Sequence, residues 1–120
     1  MVSDGVADAY IAGDITVIRD RLAPDAIFRS PVTDYHGPDE IMPVLVALGE
    51  VLTGKRAMSM LEGPGQSAVL YSGRVGTKEV HGVLHVETTL DGRISCITMM
   101  VRPLDALLEG AELMRQKLSR

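Results

Sequence analysis

The residues best equipped for chemistry in this chain stand together at Asp34-Tyr35-His36. Imidazole is the side chain matched to proton transfer near neutral pH. A nearby carboxylate can orient it, and a phenol can donate to a developing oxyanion. In that arrangement His36 is a general acid or base, Asp34 orients it, and Tyr35 or Tyr10 is the oxyanion donor. The plainer alternative is a polar loop ending in a helix cap, because Gly37-Pro38-Asp39-Glu40 follows at once and reads as a helix start. His81 and His85 raise the question of a metal. Val80, Val83 and Val86 argue for a strand there, on which residues four apart share a face but lie roughly 13 Å apart. One ion cannot bridge them, and neither Cys96 nor His36 offers a third ligand, so no metal and no cofactor is expected. His81, Val83, His85 and Glu87 read instead as a semi-polar stripe facing solvent or a subunit. Arg29 and Arg102 are suited either to a carboxylate ligand or to salt bridges with acidic neighbours. Gly63-Pro64-Gly65 lacks the rest of a nucleotide fingerprint.

These residues must be held by a mixed set of elements. A first helix is expected over Val2 to Ala12, stopped by Gly13, with Asp14 as N-cap of a second helix carrying Ile15, Ile18 and Leu22 at helical spacing. Pro24 is expected to end it. A strand follows with Ala26, Phe28 and Ser30 on one face and Ile27 and Arg29 on the other. A third helix starts near Pro38; Ile41, Leu45, Leu48 and Leu52 make its apolar stripe, widened by Val44 and Val51, and Thr53-Gly54 is its exit. Strands are predicted over Arg56–Glu62, Ala68–Val75, Glu79–Leu90 and Ile94–Val101, with a hairpin turn at Asp91-Gly92. A C-terminal helix is expected over 104–118, weakened by Gly110.

Length allows one domain, 1–120. With 46% hydrophobic but only 3% aromatic residues, the core must be aliphatic and rich in methionine. A net charge of −4 argues against a nucleic-acid backbone or an anionic membrane as partner. The single cysteine, Cys96, fits a reducing compartment, and no secretory signal or membrane-spanning run is present, so a cytoplasmic protein is expected. The Ile94–Val101 strand is mostly apolar on both faces, Ile94, Cys96, Thr98 and Met100 opposing Ser95, Ile97, Met99 and Val101. A wet face should be polar, so the second face needs cover, from a partner subunit in a homodimer or from the C-terminal helix.

The order of Ala12-Gly13-Asp14, Ala23-Pro24-Asp25-Ala26, Phe28-Arg29-Ser30-Pro31-Val32 and Asp91-Gly92-Arg93-Ile94 resembles the SnoaL-like branch of the nuclear transport factor 2-like superfamily, over roughly Val6 to Pro103. The resemblance implies an α+β fold: a cone-shaped, cystatin-like roll in which a curved, mainly antiparallel sheet wraps around N-terminal helices and an apolar pocket. It also implies pairing of two copies through the sheet. The ketosteroid isomerases of that superfamily place a general-base aspartate where this chain has Ser30; their oxyanion-binding acid falls near Leu84, and their oxyanion tyrosine near Val6, one turn from Tyr10. That apparatus is missing. An epoxide-hydrolase cluster is missing too, because no predicted strand carries an Asp and an Arg on one face. On this resemblance the pocket wall is Phe28, Ser30, Leu84, Ile97, Met99 and Val101, with Tyr10, Tyr35 and His36 as polar contacts. The expected function is binding of a small, largely apolar molecule. The alternatives are an isomerase, cyclase or dehydratase built on His36, and a protein-interaction module that uses the sheet face.

Overall fold

A computed structural model describes residues 5–119. The chain runs α1 (Val6–Ala12), α2 (Ile15–Arg21), β1 (Leu22–Arg29), β2 (Asp34–His36), α3 (Pro38–Val51), β3 (Leu52–Gly63), β4 (Gln66–Val75), β5 (Lys78–Thr88), β6 (Ile94–Arg102) and α4 (Leu104–Leu118). The six strands form one curved, unclosed sheet in the order β2-β1-β6-β5-β4-β3. All neighbours are antiparallel except β1 and β6. This is the α+β architecture expected.

Local chemistry sets most of the boundaries. Asp14 caps α2 by accepting from the Thr16 N–H at 3.2 Å. Gly37 occupies a positive φ of 79° ahead of α3, and Pro38, Asp39 and Glu40 fill that helix's first turn. The expected first helix is described from Val6 onward, and Val2 to Asp4 lie outside the described residues. Three expectations need correction. Pro24 does not end α2, because β1 already begins at Leu22; the β1–β6 register shifts between Leu22 and Ile27, so Pro24 sits where no regular ladder requires its N–H. Asp34-Tyr35-His36 is a strand rather than a loop, a three-residue edge paired with β1. Ile94 is buried rather than sharing a face with Cys96, since the β5–β6 register skips Ser95 and a bulge reverses the alternation there.

Strand alternation sorts the sheet into two faces. On the concave face Phe28, Val69, Tyr71, Val80, Leu84, Val86 and Ile97 join α1, α2 and α3 in one core. Tyr71 lies over Gly82, where a Cβ would come within 2.5 Å of the ring and hydroxyl, so only glycine fits. On the convex face the register aligns Leu70, Val83 and Met100 across β4, β5 and β6, with Ala68, His85 and Thr98 alongside. Met100, Leu61 and Leu70 stay exposed there at 63%, 57% and 38%. Helix α4 does not cover this face. It packs beside α3, with the concave-side residues Val75, Met99 and Val101.

Candidate functional site

The centre of the cone is filled, and the open space lies to one side, under α4. There a half-open cavity of about 430 Å³ lies between the sheet and the two longest helices, within the size range of small-molecule sites. Phe28 of β1, Tyr35 of β2, Leu52 of β3, Val75 of β4, and Met99 and Val101 of β6 supply the sheet side. Val44, Leu48 and Val51 come from α3. Helix α4 supplies Ala106, Leu107, Gly110, Ala111, Met114, Arg115 and Leu118, with Ser119 just beyond it, and the turn after β1 closes the rim with Ser30, Pro31 and Val32. The inward stripe of α4 is rich in small residues, Ala106, Gly110 and Ala111, and their short side chains leave the volume open. Surface ion pairs fasten the helix at both ends: Lys78 to Asp105 and Glu109 at 3.5 and 3.6 Å, and Lys117 to Glu50 at 2.7 Å.

Five of the expected site residues meet at this cavity: Phe28, Ser30, Tyr35, Met99 and Val101. Leu84 and Ile97 share their face but are fully buried in the core and do not line the space. Tyr10 is also away from it. Its hydroxyl donates to the Tyr71 hydroxyl at 2.8 Å, the rings meet edge-on at 5.2 Å, and the Lys55 ammonium sits 5.1 Å from the Tyr10 ring centre. Burial pushes both phenols up, Tyr71 to about 12, and depresses the Lys55 amine. His36 and Asp34 are exposed and do not line the cavity. Alternation in β2 explains this: Tyr35 pairs with inward-facing Phe28, while His36 pairs with Ile27 and Asp34 with Arg29, on the opposite face. The His36 backbone N–H donates to the Glu40 carboxylate at 2.8 Å.

The wall is almost without ionisable groups. Among the described residues that line it, only Tyr35 and Arg115 can carry charge. Arg115 is paired with Glu112, whose carboxyl is held down at about 2 by hydrogen bonds from Arg115 and Gln116. No cluster of three or more His, Cys, Asp or Glu that could hold a metal occurs among the described residues. His85 faces Gln66 at 2.9 Å, and His81 faces Glu79 at 3.5 Å. Cys96 is a free thiol, half-buried on the convex side, with its pKa raised by burial. No helix of the described residues is long and apolar enough to cross a membrane. Sequence reading missed the α3 and α4 contributions to the wall; the available signal was the small-residue stripe of α4.

No protein-family model and no curated protein matches the sequence. Solved structures do. A steroid delta-isomerase from Pseudomonas aeruginosa superposes with a TM-score of 0.87 at 26% identity, over 99% of this chain and 94% of that one. An uncharacterized protein with a cystatin-like fold from Silicibacter pomeroyi gives 0.86 at 22% identity, over 93% and 81%. A protein of the SnoaL-like family from Agrobacterium tumefaciens gives 0.65 at 15% identity, over 81% and 94%. The chain thus shares the cystatin-like, nuclear transport factor 2-like fold and is similar to the SnoaL-like proteins among its structural neighbours.

Proposed function

We propose that this protein binds a small, largely apolar molecule in the cavity beneath α4 and does no acid–base chemistry on it there. The observation that carries the reading is the wall itself. It is a space of about 430 Å³ lined by aliphatic, methionine and aromatic side chains, on which no carboxylate or imidazole stands among the described residues and the ionisable groups are the Tyr35 phenol and the Glu112-paired Arg115. A proton-transfer site needs a titrating group within hydrogen-bond reach of the substrate. The isomerase or cyclase alternative draws on the likeness to the steroid delta-isomerase, but its candidate base, His36, stands on the other side of the sheet. We read the convex face as the contact with a second copy, because the Leu70, Val83 and Met100 row is too apolar to be left wet and α4 packs elsewhere. A cytoplasmic location suits the lone thiol.

A screen of small neutral apolar compounds by thermal shift tests the binding reading. A ligand at one hundred times its Kd stabilises by about 2.7 kcal/mol. Met99→Trp, which fills the cavity from β6, should abolish the shift while circular dichroism reports an intact fold. A tryptophan variant that binds normally refutes the assignment.

A further inference from the structure

We infer that the cavity takes an uncharged, mainly apolar molecule bearing a hydrogen-bonding oxygen, and that the Tyr35 phenol holds that oxygen. The inference rests on the cavity being a binding site and adds the chemical class and the anchor. It follows from accounting for each polar group on the wall. The Ser30 hydroxyl donates to the Thr33 carbonyl at 2.7 Å and accepts from the N–H groups of Val32 and Thr33 at 3.2 and 3.0 Å, so its capacity is spent. The Ser119 hydroxyl donates to the Gln116 carbonyl at 3.2 Å. Arg115 directs Nε and Nη2 onto the two carboxylate oxygens of Glu112 at 2.9 and 2.7 Å. The Glu112 carboxylate already neutralises that guanidinium, so a ligand carboxylate would have to compete with Glu112 for its charge, or be desolvated without a cation.

The one hydroxyl on the wall whose donor is unused is that of Tyr35, which has no hydrogen bond to any described residue. Its ring is held in place. It stacks on Phe28 with centroids 6.2 Å apart and planes at 29°, and the two residues are directly paired across β1 and β2. A phenol fixed in this way offers one donor and one acceptor without further ordering. A hydroxyl, ketone or ether oxygen satisfies it; a hydrocarbon ligand would cover it and leave it unpaired.

Naphthalene, 2-naphthol and 2-naphthoate share one ring system and separate the outcomes when titrated by calorimetry near neutral pH against the wild type and Tyr35→Phe. The wild type should bind 2-naphthol roughly 2- to 10-fold more tightly than naphthalene, the net worth of one hydrogen bond. Tyr35→Phe should erase that advantage, with naphthalene bound at least as tightly as by the wild type because no hydroxyl is left unpaired beneath it. 2-Naphthoate should bind roughly tenfold or more weakly than the naphthol, as an uncompensated buried carboxylate must. Naphthoate binding as tight as naphthol, or a naphthol advantage that survives Tyr35→Phe or is missing from the wild type while naphthalene still binds, overturns this inference alone. Failure of all three compounds to bind either protein overturns the cavity reading and this inference with it.

Discussion

Replacing Tyr71 with phenylalanine tests whether the Tyr10–Tyr71 pair belongs to the scaffold rather than to the site. The substitution keeps the ring over Gly82 and removes only the acceptor of the 2.8 Å bond. The Tyr10 hydroxyl is then left buried and unpaired, at a cost of about 1–3 kcal/mol. Tyr10→Phe strands the Tyr71 hydroxyl in the same way. Changing both removes the polar pair together, and since the edge-on rings keep their packing the double variant should lie within about 1 kcal/mol of wild type. Urea unfolding followed by circular dichroism, with m unchanged, reads all four corners of the cycle. A second arm uses pH. Both phenols have folded pKa values above their unfolded value of about 10. Their contribution is therefore intact below about pH 10 and is lost as pH rises towards and through the folded values, at up to about 1.4 kcal/mol per pH unit for each. The double variant should show a shallower alkaline loss. A double variant as unstable as the sum of the singles, or one that loses affinity for a cavity ligand, would refute this account of Tyr10.

Three further outcomes are expected. Gly110→Ala should raise the stability of α4 by about 0.5–1 kcal/mol, because the added methyl would meet Val75 and Val51 only at ordinary contact, 3.6 to 4.0 Å; a fall in Tm would contradict the packing described. Met100→Lys should split a sheet-packed dimer or unfold it by burying two charges near the symmetry axis, and a wild-type protein that sediments as a monomer at micromolar concentration would remove the dimer. Chelator treatment should leave Tm unchanged, and a chelator-dependent fall would require a metal site absent from this account.

The helices and most strands were legible because their signals are local. The stripe on α3, the Asp14 cap and the span of α4 each depend on residues within a few turns of one another. Which side of a strand faces inward was legible from parity, and Phe28, Met99 and Val101 followed from it. Where along the cone the empty space lies was not. That depends on partners far apart in sequence, such as Tyr10 and Tyr71, 61 residues apart, which fill the centre. It also depends on α4, whose apolar stripe announces that one face is buried without saying against what. The strand β2 was missed for a related reason: three residues carry too little pattern to show that they pair.

That short strand also fixes the cavity's chemical character by its phase. Three pairings, Ile27 with His36, Phe28 with Tyr35 and Arg29 with Asp34, send the phenol inward and the imidazole and carboxylate outward. The turn before it, cinched by the three hydrogen bonds of the Ser30 hydroxyl, sets the count of residues that maintains this phase. Sliding the strand by one residue would exchange every side chain for its neighbour and turn Asp34 and His36 towards the apolar space, while the phenol left it. A one-residue insertion or deletion between Ser30 and Thr33 that shifted the strand in this way would put a carboxylate and an imidazole on the cavity wall in place of the phenol.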